Sequence, residues 1–308
     1  LRAGSAQADG YPFNRLYRMN NGLEVMGRNH ATAPIIGPAG PVDATLQTLS
    51  AVDENNKLRG VIINIGLHPV TVAGSKADFF SADWPGAMCK HVARFYEQDV
   101  VPIFMQAACG DINHQPYDPT NLPTGGSEKC EQLGRGLAGL AIGALERAEP
   151  ITEDTLASVV KVIDIPYYTR TPQLLAQIEA LKNKPERSPG DDYFISAVET
   201  WPHDHQVSKV PLMAMRIGPI ALVPIPAQIF TQISLDIKKW SPAAQTMVIE
   251  LANARVSSYI PTADQAERGA YGSAPILSRW LSVDAGRLMA DACLVMLHQL
   301  WSNETTVS

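Results

Sequence analysis

Apolar runs separated by polar clusters organise this chain. The β-branched runs at residues 59–67 and 99–106 predict two buried strands, and the stretch from Trp84 to Gln98 between them predicts a helix. A strand, a helix and a second strand in this order indicate a parallel pair joined by a right-handed crossover. Residues 1–45 are rich in Gly, Pro and Asn, which predicts extended, loop-like structure.

The remaining pattern predicts further elements. We expect a loop at 115–127, helices at 129–147, 172–182, 227–240 and 283–301, strands at 157–166 and 246–251, and a hairpin within 210–225 that turns at Gly218-Pro219. The polar stretch at 183–208 is interpreted as an exposed insertion or lid. The sequence therefore predicts an α/β fold, with a central mixed sheet flanked by helices, in a single domain over residues 1–308.

Composition narrows the functional class. The chain has 308 residues, 45% hydrophobic and 18% charged, as in ordinary globular proteins. A net charge of −6 argues against a nucleic-acid partner, because phosphate binding needs a concentrated basic face. The absence of an apolar run of ~18 residues argues against an integral membrane segment. No signal peptide is visible, but the chain opens with Leu1 rather than Met, so a secreted or periplasmic location stays open.

Four cysteines show no spacing typical of a zinc knuckle. A chain of this size does not need disulfides to fold, so free thiols are expected. Cys109 stands beside Gly110-Asp111 and has two interpretations. It would be a nucleophile if a nearby base lowered its pKa, and the favoured alternative is a small buried side chain.

Polar clusters stand where the apolar runs stop. They are Asn64-Ile65-Gly66-Leu67-His68-Pro69, Ser81-Ala82-Asp83-Trp84-Pro85-Gly86 and Gln106-Ala107-Ala108-Cys109-Gly110-Asp111-Ile112-Asn113. Polar side chains at strand ends are where α/β enzymes carry their chemistry. An enzyme acting on a small-molecule substrate is therefore the leading interpretation.

These three clusters belong to a longer ordered set of motifs. The others are Asn14-Arg15, Gly40-Pro41-Val42-Asp43, Pro224-Ile225-Pro226-Ala227-Gln228, and Tyr259-Ile260-Pro261-Thr262 with Tyr271 twelve residues after Tyr259. In this order the set resembles the catalytic domain of the neutral/alkaline ceramidase family. The resemblance runs from about Asn14 to about Leu300, which is nearly the whole chain.

The resemblance implies a metal-dependent amide hydrolase. It assigns His68 and Tyr259 as metal ligands, with Arg15 and Tyr271 as catalytic groups that stabilise charge on the scissile carbonyl. The implied cofactor is Zn²⁺, which would lower the pKa of water and polarise that carbonyl. Asp83 is a candidate catalytic residue, as a carboxylate that orients His68.

Other polar residues have weaker assignments. Asn64 is an alternative group for orienting His68. Asp111, Asn113 and Gln228 are candidate substrate-binding residues, although Asp111 has the alternative role of accepting backbone N–H bonds within a turn. The pair His203 and His205 is an alternative source of a metal ligand, against a more ordinary role as solvated side chains.

Several departures from the family pattern change the expected function. The family's upstream His-x-His-x-Gly segment, one of whose histidines binds metal, is absent. Gln228 replaces a metal-binding Glu, Asn113 replaces a nucleophile-like Ser, and Gly272 replaces the Glu that follows the second Tyr. An amide oxygen is a poorer ligand for a divalent cation than a carboxylate. We therefore expect a modified or lost zinc site, and a small polar amide, ester or sugar derivative as substrate rather than ceramide.

Two other functions stay open. One is a non-catalytic ligand-binding relative that keeps the pocket and has lost the metal. The other is a metal-free lyase that uses His68 as general base. An upstream chain segment and a homo-oligomer also stay open as partners.

Overall fold

The computed structural model describes residues 1–27, 30–72, 79–97, 99–115 and 125–302. Most of the predicted loop at 115–127, and Gln98 at the end of the first predicted helix, lie outside these ranges. The strands are β1 (Arg2–Gln7), β2 (Phe13–Asn14), β3 (Leu16–Met19), β4 (Glu24–Met26), β5 (Ile35–Pro38), β6 (Thr45–Val52), β7 (Leu58–Ile65), β8 (Val101–Gln106), β9 (Ile112–Asn113), β10 (Glu149–Pro150), β11 (Leu156–Pro166), β12 (Val207–Ile217), β13 (Ile220–Pro224), β14 (Gln228–Ile229), β15 (Gln245–Ile249) and β16 (Tyr259–Ile260). The helices are α1 (Asp83–Phe95), α2 (Ser127–Glu146), α3 (Pro172–Lys182), α4 (Pro189–Glu199), α5 (Thr231–Trp240), α6 (Ala263–Glu267) and α7 (Ala285–Ser302).

The first large sheet has the strand order β10-β1-β6-β7-β8. Only β7 and β8 run parallel among its neighbours, and α1 lies between them in sequence, which confirms the predicted strand–helix–strand unit. Helices α1 and α2 pack together on one face of this sheet around residues such as Ile63, Met88 and Leu137.

The second large sheet has the order β11-β12-β13-β15. Strands β12 and β13 form the antiparallel hairpin predicted at Gly218-Pro219, and β13 then pairs in parallel with β15. Helices α5 and α7 cover one face, where their apolar side chains join those of Ala221, Val223 and Val248.

The two sheets pack against each other through their remaining faces. Leu49 and Ile62 of the first sheet share one apolar cluster with Ile220, Leu222 and Met247 of the second. Because successive side chains of a strand point to opposite faces, a strand between two buried layers is apolar at nearly every position. The α/β class is therefore confirmed, with two packed mixed sheets where the sequence predicted one.

The structure refines two segment predictions. Residues 1–45 hold the short strands β1–β5 joined by loops, so the predicted extended, loop-like structure holds for the segments between the strands. The strand β1 gives no clear sequence signal, because it consists largely of small residues that lack apolar alternation. Gly4 shows the reason for these small residues, since a Cβ there would collide with the Ala144 carbonyl oxygen of α2. The helix predicted from residue 227 begins at Thr231, because Gln228 and Ile229 pair in parallel with Tyr259 and Ile260 instead.

The predicted insertion at 183–208 contains α4, which begins in a capping box formed by Ser188 and Asp191. This helix packs against α3 in a small apolar cluster that includes Leu174, Ile178 and Val198. Its role as an insertion or lid stays a prediction.

The cysteines and the helices bear on two expectations from the composition. All four cysteines are free thiols, as expected. Within the described ranges, no helix is long and apolar enough to cross a membrane.

Asn64 forms a polar link inside the contact between the sheets. Its side-chain amide is fully buried and donates to the Met105 carbonyl oxygen of β8 at 2.9 Å and to the Val248 carbonyl oxygen of β15 at 3.1 Å. One side chain of the first sheet thus holds a strand of the second.

We expect Asn64→Ala to lower the free energy of unfolding by about 1–3 kcal/mol, because two buried carbonyls lose their donor. Urea denaturation measures this loss. The exposed Asn55→Ala serves as the control and should stay within about 0.5 kcal/mol of the parent. Equal stability of the two variants would show that the amide link contributes nothing.

Candidate active site

The packed sheets bring the ends of four strands to one edge. Strands β7 and β8 end at Ile65 and Gln106, and β13 and β15 end at Pro224 and Ile249. The Glu250 backbone N–H donates to the Gln106 carbonyl oxygen at 2.9 Å, which joins the ends of β15 and β8 across the two sheets. Residues that follow these strands therefore meet although they are far apart in sequence.

A cavity of about 510 Å³ opens at this edge. Pro85, Phe104 and Leu251 contribute to its apolar wall. Its polar and ionisable lining includes the side chains of His68, Gln106, Cys109, Gln228 and Glu250.

His68 is held on several sides. Its Nδ1 lies 3.3 Å from the Cys109 carbonyl oxygen and 3.3 Å from Gln228 Nε2, and its own carbonyl oxygen accepts from Trp84 Nε1 at 3.3 Å. Burial, followed by the positive charge of Arg15, lowers the pKa of His68 to about 4. The imidazole is therefore neutral at physiological pH.

Glu250 is a site residue that the sequence analysis missed. Its Oε2 accepts from the backbone N–H groups of Cys109 and Ile229, both at 3.1 Å, and its Oε1 lies 2.9 Å from Cys109 Sγ. Burial raises the pKa of Glu250 to about 8, so the group is mostly protonated at neutral pH. Glu250 directly follows the apolar run of β15, and this is the same kind of sequence signal that identified His68.

Cys109 connects these two groups. Its Sγ lies 3.4 Å from His68 Nδ1 and 2.9 Å from Glu250 Oε1. Burial, followed by the neighbouring Glu250, raises the pKa of the thiol, which is the opposite of what an activated nucleophile needs. The geometry therefore agrees with the favoured interpretation of a buried side chain and adds a bridging contact to it.

Arg15 forms the second half of the site. Its guanidinium is buried, and Nη2 donates to the Gly110 carbonyl oxygen at 2.6 Å and to the Tyr259 hydroxyl at 3.3 Å. The guanidinium carbon also lies 4.9 Å from the ring centroid of Tyr271. Across the described part of the chain, no carboxylate forms a salt bridge with Arg15. Its charge therefore has no anionic side-chain partner among the described residues, and Arg15 lies beside the cavity rather than among the residues that line it.

The two halves of the site are joined by β14 and β16. Gln228 and Tyr259 are directly paired in these parallel strands. Gln228 lies against the His68 ring, and the Tyr259 hydroxyl accepts from Arg15. The rings of Tyr259 and Tyr271 lie 5.5 Å apart, edge to face. Of the four residues predicted to converge on one pocket, His68 and Gln228 line the cavity, whereas Tyr259 and Tyr271 contact Arg15 beside it. Their convergence on one pocket stays a prediction.

The glycine that departs from the family pattern has a physical reason here. Gly272 adopts a positive φ of 85°, and a Cβ at this position would lie 2.7 Å from Tyr259 Cγ. A larger residue would displace the Tyr259 ring.

Neither residue expected to orient His68 is hydrogen-bonded to it. The Asp83 carboxylate accepts from the backbone N–H groups of Val72 and Trp84 at 2.9 and 2.7 Å, where it shapes the start of α1. Asn64 spans the two sheets instead, as described above. Asp83 acts on His68 only through its charge, which raises the pKa slightly against the stronger effect of burial.

Asp111 and Asn113 lie outside the cavity wall. Asp111 is fully buried, and its carboxylate accepts from the Thr231 N–H at 2.8 Å and from Asn14 Nδ2 at 2.9 Å. These contacts match its alternative role in shaping a turn. Asn113 is paired with Phe13 in the short ladder of β2 and β9. Substrate binding by Asp111 or Asn113 stays a prediction.

The donors around His68 do not fit a zinc ion. In the described ranges, no group of three His, Cys, Asp or Glu side chains is placed to hold a metal. Burial raises the pKa of Tyr259, which opposes the tyrosinate that metal binding requires, and Arg15 already occupies its hydroxyl. His203 stacks on Tyr167 and lines a different cavity.

Comparisons with known proteins identify the fold of this chain. No protein-family model matches the sequence, and no curated protein matches it. The crystal structure of neutral ceramidase from Pseudomonas aeruginosa matches with a TM-score of 0.69 and 17% identity, covering 98% of this chain and 52% of that one. A ceramidase complexed with C2 matches with a TM-score of 0.68 and 16% identity, covering 98% and 53%.

This chain therefore spans about half the length of the solved structures that it matches. Identity at this level shows the fold alone. The chain has the fold of the neutral ceramidases.

Proposed function

We propose that this chain is a hydrolase that cleaves a small polar amide, ester or sugar derivative in the cavity beside His68, without a metal ion. The fold supports this class, because the ceramidases that share it are hydrolases. The observation that carries the proposal is that one cavity wall holds an imidazole kept neutral and a carboxylic acid kept protonated. Environments that push two pKa values apart in this way assign a base and an acid.

His68 is the proposed general base. It accepts a proton from a water molecule as that water attacks the carbonyl carbon of the substrate. Burial and the positive charge of Arg15 make the imidazole a weak base in the free protein. Negative charge that develops on the substrate offsets Arg15 and makes protonation of His68 easier as the reaction proceeds.

Arg15 is the proposed site for that developing charge. A buried, preorganised cation stabilises an oxyanion more strongly than it would in water, because little solvent screens it. The Tyr259 hydroxyl lies beside the same guanidinium. Tyr271 covers its face, which keeps the cation in place when no ligand is bound.

Glu250 is the proposed general acid. It donates its proton to the leaving nitrogen or oxygen, so that the products are a carboxylic acid and an amine or alcohol. This leaves His68 protonated and Glu250 ionised. The Cys109 thiol lies between them, so one proton passed along these contacts restores both groups.

The pH dependence of kcat/KM tests this assignment. The active form has His68 neutral and Glu250 protonated, so activity should fall below about pH 4 and above about pH 8. A panel of p-nitrophenyl esters and p-nitroanilides with short acyl groups provides the assay. A profile with an acid limb near 6.5, the ordinary pKa of His, would contradict the assignment.

Single substitutions show which residue causes the loss of activity at each end of that pH profile. His68→Gln should lower kcat/KM on the order of a hundredfold or more, and Glu250→Gln should lower it and abolish the alkaline limb. His298→Gln, on the exposed side of α7, is the matched control and should keep the parent profile.

Incorporation of ¹⁸O from labelled water into the acid product separates hydrolysis from a lyase reaction. Binding of these compounds without turnover would favour the ligand-binding alternative.

A second prediction concerns the coupling of Arg15 to His68. Arg15→Gln removes a charge that lowers the His68 pKa, so this pKa should rise from about 4. It should stay below 6.5, since burial is the larger cause. NMR titration of the imidazole measures the change, and Arg94→Gln on the exposed face of α1 is the control. An unchanged pKa would show that Arg15 does not act on the base.

A third prediction concerns metal. Chelator treatment should leave the Tm and the activity of the protein unchanged, because His68 lacks enough anionic partners for a zinc site. Gln228→Glu places a carboxylate beside His68 and should raise zinc affinity, measured by calorimetry. Stoichiometric zinc that remains in the parent protein after chelation would contradict the metal-free proposal.

A further inference from the structure

A second cavity, of about 500 Å³, shares no lining residue with the one beside His68. We call it the ring-lined cavity, because four aromatic or imidazole rings and two cationic side chains dominate its wall. They are Tyr167, Trp201, His203, Lys209, Arg255 and Trp280.

The rings form a fixed wall. Tyr167 and His203 stack with their centroids 4.2 Å apart, and Trp201 meets both rings edge-on at 6.0 and 5.0 Å. The Trp201 Nε1–H donates to the Tyr168 carbonyl oxygen at 2.9 Å, which fixes the orientation of the indole. Such a wall offers flat apolar surface to a ligand at little cost in side-chain entropy.

The two cations at this cavity are not equivalent. Lys209 Nζ lies 2.6 Å from Asp164 Oδ1, so its charge is paired. Arg255 has no salt bridge within the part of the chain that the structure describes. Its guanidinium carbon lies 5.3 Å from the ring centroid of Trp280. An arginine placed over an aromatic ring keeps the N–H groups at its edge free for a carboxylate, which it can bind with two parallel hydrogen bonds.

We propose that the ring-lined cavity is a binding site for a carboxylate carried on a six-membered ring. Arg255 binds the carboxylate, and the ring of the ligand packs against the aromatic wall. Two sources share this chemistry, an aromatic acid and a sugar acid. The unpaired cation argues against a quaternary ammonium ligand, which aromatic cages otherwise suit.

Titration with benzoate and with glucuronate tests the site, with benzamide and methyl glucoside as their neutral counterparts. Isothermal calorimetry and tryptophan fluorescence report binding. We expect saturable binding of at least one carboxylate and at least tenfold weaker binding of its neutral counterpart, since only the carboxylate forms charge-assisted hydrogen bonds with Arg255. Tighter binding of benzoate would identify an aromatic acid, and tighter binding of glucuronate a sugar acid.

Arg255→Gln should weaken carboxylate binding about tenfold or more, while Arg94→Gln should leave it unchanged. His203→Ala removes one ring from the wall at a half-buried position, and it should weaken binding without a large change in Tm. Binding should persist in His68→Gln, which separates this site from the proposed active site. The proposal fails if neither carboxylate binds saturably, if the neutral compounds bind equally well, or if Arg255→Gln binds as the parent does.

Discussion

The face-to-face packing of two mixed sheets is the constraint on which the rest of this structure depends. Strands β7, β13 and β15 each lie between a helical layer and the opposite sheet, so both of their faces are buried. The Asn64 amide links β7 to β15, and the Glu250 N–H links the end of β15 to the end of β8, so the carboxyl ends of these strands meet at one edge. His68 and Glu250, which are 182 positions apart, line one cavity for this reason.

Burial at that edge also determines the electrostatics. The same low-dielectric surroundings lower the pKa of His68 and raise that of Glu250, since in each case the charged form is disfavoured. The positive charge of Arg15 acts on His68 in the same direction as burial. The fold thus places one buried cation near the neutral His68, an arrangement suited to a ligand that brings or develops negative charge.

The site differs in chemistry from the one that the sequence resemblance implies. Gln228 supplies a neutral amide at 3.3 Å from the imidazole, and the Tyr259 hydroxyl faces a cation. A fold shared with ceramidases therefore does not by itself supply the donor set that the resemblance implies. The function proposed here depends on the site itself, since one fold commonly supports several reactions.

The sequence by itself determined the elements with strong apolar periodicity and the polar residues that follow them. Residues 59–67, 99–106 and 157–166 were correctly predicted as strands, and the resemblance pointed to His68 and Gln228, which line one cavity. The sequence could not identify β1 or β14, because short strands of small or polar residues are defined only by the strands with which they pair. Only the tertiary structure decided that Asn64 links the sheets and that Cys109 connects Glu250 to His68. Hydrophobic pattern reports which faces are buried, whereas the packing of the sheets decides which strand ends become neighbours.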